Sequence, residues 1–306
     1  MRAALTLPSP SDSQPFFAVS GIEAGSLTLP GERYIDPCRP SGLKWVVPTL
    51  AYLLRHSGSG EYFLLDMGIR KDHEKLPPAA VKFMEEYKPL MAERDVAEKL
   101  KDGGVDPSNV KHVCLSHMHW DHIGDPTLFP ASTFIVGGPA RRLIEGGYPH
   151  NPKSMFPSDL LPDGRTVFLE DADPRWAPIG PFERAVDWFG DGSLYIVDAP
   201  GHLPGHINVL ARTSSDGGWV YLAGDSAHDW RLVHGTARIA EVRGTSGEVT
   251  FCGHRDKTAS EKHIGRIRGL MQLSRVRVML AHDVPWWEEN RDKEGSGIWP
   301  GTIPSL

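Results

Sequence analysis

"LSHMHWDHIGD", residues 115–125, sets His117, His119, Asp121 and His122 within six positions, directly after the apolar run "HVCL". Side chains alternate across a strand, but residues just past its end can converge on one point. Three imidazoles and a carboxylate gathered there are costly if buried unpaired. Zinc and similar divalent metals relieve that cost, because neutral imidazole and carboxylate are their natural ligands. A lone histidine reads as an ordinary surface or core residue. The H-x-H-x-D-H spacing reads as a metal site.

The other polar strand ends are read against this one. "YIVDAPGHLPGH" offers His202 and His206, "WVYLAGDSAHD" offers Asp225, and "VRVMLAHD" offers His282. Each follows an apolar run, and Gly201 and Gly224 let the backbone turn sharply beside the polar residue. Any one of these is a weak signal alone. Four strand ends tipped with metal-ligand chemistry form a constellation with a shared centre.

The 306 residues suffice for one large domain with a sizeable core. We take 1–306 as one unit, with residues 1–45 a Pro/Ser/Gly-rich N-terminal extension that reads as an irregular or edge-strand entry and 149–180 a long Pro-rich loop holding one short strand, "TVFLE". Loops of that length are often functional lids. "TLAYLLRH" and "YFLLDMG" read as strands around the turn "SGSG", and helical material runs from Pro77 to Gly103. "STFIVGG" reads as a strand followed by the helix "PARRLIEGG". The second half is strand-rich, with a helix over 259–274 before the last strand, "RVRVMLAHD". Strands mixed with helices predict an α/β sandwich with its polar clusters along one sheet edge.

The net charge of −6 supports neither nucleic-acid binding nor attraction to an anionic membrane surface. The three cysteines are far apart and odd in number, which argues against a disulfide framework, and Cys114 reads as a small core residue. The N-terminus lacks the apolar stretch of a signal peptide and no run approaches a membrane span, so the expected location is cytoplasmic. The oligomeric state is left open.

"SHMHWDH", "APGHLPGH", "LAGD" and "LAHD", in that order, resemble the metal motifs of the metallo-β-lactamase superfamily. "LLDMG" upstream resembles its strand-end Asp, and the likeness runs from about Thr49 to Asp283. The resemblance implies an αββα four-layer sandwich, two mixed β-sheets flanked by helices. It implies two Zn2+ ions, or other divalent metals. His117, His119 and His202 would hold the first and Asp121, His122 and His282 the second, with Asp225 bridging. His206 is expected to be a structural hydrogen-bonder, and Asp66 to orient a ligand without being one.

The chemistry implied is hydrolysis, with metal-activated hydroxide attacking a carbonyl and Asp121 as candidate proton shuttle. The overall pattern most resembles N-acyl homoserine lactonases, so a small acylated lactone is the expected substrate. A thioester or other ester on the same site is the alternative. An oxidoreductase is disfavoured, because the di-iron branch typically has Glu where His119 stands. Trp120 is expected to line the substrate pocket, with Trp286 and its neighbour Trp287 extending the wall and Tyr34 contributing from the N-terminal segment. Such lactonases generally carry Tyr three residues after the bridging Asp. His228 stands there instead, and a neutral imidazole can donate to a developing oxyanion. Asp125, where many relatives have Gly, is a second departure.

Overall fold

The computed structural model describes residues 6–88 and 90–306. The first five residues of the N-terminal segment, and Pro89 within the 77–103 stretch, lie outside the described residues.

One six-stranded sheet is built from β1 (Phe17–Pro30), β3 (Lys44–His56), β4 (Tyr62–Leu65), β5 (Val110–Cys114), β6 (Thr133–Gly137) and β7 (Thr166–Leu169), adjacent in that order. The second runs β16 (Val276–Met279), β12 (Trp219–Leu222), β11 (Ile207–Arg212), β10 (Leu194–Asp198), β9 (Phe182–Asp187) and β8 (Ala177–Ile179). Both are mixed. The β4–β5, β5–β6 and β6–β7 pairs are parallel, as is β12–β16, and the remaining pairs are antiparallel.

The two-residue alternation of each strand decides the layers. Leu50, Tyr52 and Leu54 of β3, Phe63 and Leu65 of β4, and Cys114 of β5 face Ile207, Val209 and Ala211 of β11 and Val220 and Leu222 of β12, forming the core between the sheets. The intervening Ala51, Leu53, Leu64 and Val113 face outward, against Ala80 and Met84 of α1 (Pro78–Met84) and Val96 and Leu100 of α2 (Val96–Asp102). On the opposite side Leu210 and Tyr221 share a cluster with Ile264, Ile267 and Leu270 of α5 (Lys257–Leu270). Because both faces of each sheet are covered, its strands carry near-continuous apolar runs. The result is the expected helix–sheet–sheet–helix sandwich.

Of the two readings of the N-terminal segment, the edge strand is the one found over Phe17–Pro30. Phe17–Pro30 is a 14-residue strand paired antiparallel along the length of β3, from Phe17 opposite His56 to Pro30 opposite Lys44. Its register shifts between Glu23 and Ser26, where Gly25 stands at φ +127°. A further short pair joins β2 (Ile35–Asp36) to β13 (Arg238–Ile239), and β14 (Val242–Arg243) pairs with β15 (Val249–Phe251). In the 149–180 stretch the short strand "TVFLE" is present as β7, and β8 begins at Ala177. The stretch 77–103 contains two separate helices, and residues 141–145 and 257–270 form helices where the sequence placed them. Among the described residues no helix is long and apolar enough to cross a membrane.

Candidate metal centre

The carboxyl ends of β4, β5, β10, β12 and β16 all open toward one edge. Parallel pairing of β4 with β5 and of β12 with β16 sets those ends side by side, and cross-sheet hydrogen bonds clamp them. Ile207 N–H donates to Ser116 O at 2.8 Å and Leu50 N–H to Ala281 O at 3.0 Å. The loop carrying His202 closes through Ala199 N–H to His206 O, 3.1 Å, and needs Gly201 at φ +131°. A Cβ there would stand 2.3 Å from the Ser260 backbone nitrogen, so only glycine fits.

His117 Nε2, His119 Nδ1 and His202 Nε2 lie 2.9–3.1 Å from one another. Asp225 closes this first group, its Oδ2 lying 3.5 Å from His202 Nε2 and 3.8 Å from His117 Nε2. Its other oxygen, Oδ1, lies 3.5 Å from His122 Nε2 and 3.4 Å from His282 Nε2. Asp121 Oδ2 completes the second group at 3.6 Å from His122 Nε2 and 3.5 Å from His282 Nε2. Ligand atoms about 2.1 Å from a tetrahedral centre sit about 3.4 Å apart, close to most of these separations.

The far side of most rings is tied down. His282 Nδ1–H donates to Pro48 O at 2.7 Å, and His122 Nδ1–H donates to Asp66 Oδ2 at 2.9 Å. Ser116 Oγ–H donates to Asp66 Oδ2 at 2.7 Å, which leaves its oxygen to accept from His117 Nδ1 at 3.0 Å. Asp66 is thus the orienting carboxylate anticipated above, and its Oδ1 also accepts from Ser116 N–H at 2.7 Å. His206 makes two bonds away from both groups: Nδ1–H donates to Ala199 O at 3.0 Å, and Nε2 accepts from Asp225 N–H at 3.2 Å. It therefore positions Asp225.

The electrostatics of this donor set call for cations. Burial holds the His117 and His202 imidazoles well below their ordinary range and His119 at about 3, so all three are neutral nitrogen donors. Burial opposes charge on His122 and His282 too, but Asp225 and Asp121 outweigh it and hold both above the ordinary value. Two buried carboxylates thus draw protons onto their neighbours in the place where divalent ions would sit. His122 Nε2 and Asp225 Oδ1 are buried without a hydrogen-bond partner. The residues fit two divalent metal ions.

A cavity of about 370 Å³ opens over the cluster, with His119, Asp121, His202, Asp225 and His282 on its floor. Trp120 and Tyr34 line it, together with Phe83, Tyr87, Phe156 and Phe251. Trp286 is not among its lining residues. Its ring packs over Gly21 and Gly297, where any side chain would strike it, and Trp287 is 6 % exposed within the core. Asp125 serves the backbone: its Oδ1 accepts from Thr127 N–H at 3.0 Å.

His228 lies at the site but is already engaged. Its Nε2 is 3.3 Å from Asp225 Oδ2, and its Nδ1 is buried without a hydrogen-bond partner. Its ring lines the cavity. His254, from "CGHRD", escaped the strand-end reading altogether. Its ring lies 5.1 Å from that of His202 and 5.0 Å from that of His228, and its Nδ1 pairs with Ser260 Oγ at 2.9 Å. Nothing local marks it, because it follows no apolar run. Tyr87 was missed for the same reason. It sits in a one-turn segment whose hydroxyl meets that of Tyr34 at 2.8 Å.

Residues 45–247 match the metallo-beta-lactamase superfamily. The chain is 33% identical over 282 residues to the monooxygenase mpaDE of Penicillium brevicompactum, covering 86% of this chain and 33% of that protein. It is 36% identical to the gamma-lactamase FDB1 of Fusarium pseudograminearum, covering 65% of this chain and 50% of FDB1. It is 35% identical to the N-acyl homoserine lactonase AttM of Azorhizobium caulinodans, covering 68% of this chain and 72% of AttM. The chain thus spans a third of the length of mpaDE and half that of FDB1. The fold matches that of a B. thuringiensis AiiA mutant with N-decanoyl-L-homoserine bound, with a TM-score of 0.68 at 18% identity over 94% of this chain and 99% of that one.

Proposed function

The chain belongs to the metallo-beta-lactamase superfamily, and from that membership and the geometry of its site we propose that it is a dinuclear metal-dependent hydrolase opening small acylated lactones. The observation that carries this reading is Asp225, whose two oxygens face two separate donor groups, Oδ2 toward His117 and His202 and Oδ1 toward His122 and His282. His117, His119 and His202 would hold one ion, and Asp121, His122 and His282 the other. Zinc pairs so held supply Lewis acidity and an activated water at neutral pH.

The remaining work falls to the chain. Asp66, Pro48 and Ser116 fix the ring orientations of three ligands, so the site is preorganised. Asp121, on the cavity floor, is the candidate group to collect a proton and pass it to the departing alkoxide oxygen. Leu27, Leu29, Phe83, Trp120 and Phe251 give the cavity apolar walls for an acyl or aromatic portion and exclude water around it. A volume of about 370 Å³ is at the small end for ligand pockets and suits a compact substrate.

Likeness to AttM, an N-acyl homoserine lactonase, supports the cyclic ester. A cyclic amide is the second reading, supported by likeness to the gamma-lactamase FDB1. The test is a panel of N-acyl homoserine lactones of several chain lengths, γ-lactams and acyl thioesters on protein of measured metal content. Two ions per chain and lactone opening are expected. Fully loaded protein that turns over thioesters or lactams but no lactone would overturn the substrate assignment.

A further inference from the structure

The charged side chains of the cavity fall into two sets. Its only carboxylates are Asp121 and Asp225, and both belong to the donor groups of the metal centre. Its only arginine or lysine is Arg255, which follows β15 and precedes α5. Arg255 is exposed, and among the described residues its guanidinium has neither an ion pair nor a hydrogen-bond partner. His254, beside it on the same wall, is buried and leaves its Nε2 without a partner. Two consecutive side chains of this wall thus hold polar groups that no protein group pairs.

The carboxylates nearest to Arg255 in sequence are taken up elsewhere. Glu241 lies 2.7 Å from the Arg243 guanidinium and 3.7 Å from Lys257 Nζ. Asp256 caps α5, its Oδ1 accepting from Ala259 N–H at 2.9 Å. The backbone of Arg255 is fixed against the loop that carries His202. Arg255 N–H donates to His202 O at 3.0 Å, and Asp256 N–H donates to Gly201 O at 2.8 Å. The root of the side chain therefore keeps a constant offset from a proposed metal ligand, while the side chain itself joins the cavity wall.

We propose that Arg255 is a specificity-determining residue that pairs with a carboxylate of the substrate remote from the bond that is cut, so that the preferred lactones carry an acyl group ending in a carboxylate. This rests on the lactone-opening reading. The guanidinium fork matches a carboxylate in two parallel hydrogen bonds, and a charged pair of that kind is stronger than a neutral one. A wholly apolar acyl group would fill the cavity without engaging Arg255. The cavity is small, at about 370 Å³, so the acyl group is a short one.

The experiment compares wild type, Arg255→Met and Arg255→Glu at measured metal content, on matched pairs of homoserine lactones. One member of each pair carries a butanoyl, pentanoyl or hexanoyl group, and the other the succinyl, glutaryl or adipoyl group of the same length. The readout is the ratio of kcat/KM within each pair, which cancels any general loss of activity. Wild type is expected to favour the carboxylated member of at least one pair by about three- to tenfold, mostly through KM. Arg255→Met should bring that ratio to about one, and Arg255→Glu should take it below one. A wild type with no preference in any pair, or a preference that survives either substitution, overturns the proposal. Wild type that opens none of these lactones counts against the lactone reading instead, and the subsite is then read by calorimetric binding of adipate and of hexanoate to the metal-loaded protein. Adipate binding about three- to tenfold tighter than hexanoate, with the difference lost in Arg255→Met, sustains the proposal. Equal affinities, a difference that Arg255→Met keeps, or no binding of either acid overturns it.

Discussion

His282 Nδ1–H donates to the carbonyl of Pro48 at 2.7 Å, so a ligand at the end of β16 in one sheet is oriented by the backbone of β3 in the other. The site is therefore part of the clamp that holds the two sheets at this edge. Its ring orientations and the packing of the sandwich are mechanically one unit.

Metal removal should consequently cost stability as well as activity. An ion binding only the folded state contributes RT ln(1 + [L]/Kd), about 4 kcal/mol when it is present at a thousand times its Kd. Dialysis against a chelator is expected to lower the thermal midpoint by several degrees, with recovery on adding zinc. Identical melting curves with and without metal would show that the cluster holds nothing.

The acid limb of stability should be steep between about pH 6.5 and 4. Burial holds His206 at about 4 and His263 at about 3, against about 6.5 in an unfolded chain. The unfolded state then binds more protons in this window, so stability is full above pH 6.5 and falls as the pH falls. His263 packs against Tyr221, with its Nε2 3.0 Å from the hydroxyl. His263→Gln removes one of these groups and should reduce the slope of unfolding free energy against pH in metal-saturated protein. An unchanged slope in urea titrations at several pH values would contradict it.

Asp66→Asn tests the orienting carboxylate with little backbone disturbance, since Asp66 sits at φ 61° and asparagine tolerates that region. His122 and Ser116 would lose a charged acceptor. Metal affinity is expected to fall about 10- to 100-fold, measured by competition with a chelating dye. Wild-type affinity would demote Asp66 to a packing residue.

Trp120 and Trp286 should separate cleanly. Trp120→Ala widens the cavity wall and is expected to raise KM several-fold for substrates with apolar acyl groups. Trp286→Ala leaves a void over Gly21 and Gly297 and should lower stability by about 3 kcal/mol or more while sparing the kinetics. The reverse pattern, read from kinetics and urea unfolding, would place Trp286 at the substrate.

The sequence by itself determined where the proposed metal ligands stand, because each lies on a short segment just past an apolar strand: His117 to His122 after β5, His202 after β10, Asp225 after β12 and His282 after β16. Strand, turn and ligand are local facts, and the alternation of apolar residues announces them. Other features are decided by neighbours distant in sequence. Phe17–Pro30 reads as either irregular or edge-strand until β3 supplies its hydrogen-bond partners. Trp286 follows a ligand in sequence, but α6 (Val284–Asn290) turns its ring toward Gly21. The hydroxyls of Tyr34 and Tyr87, 53 residues apart, meet only through packing. Donor identity is written residue by residue, whereas donor availability depends on what else comes within about 3 Å, and the tertiary structure alone decides that.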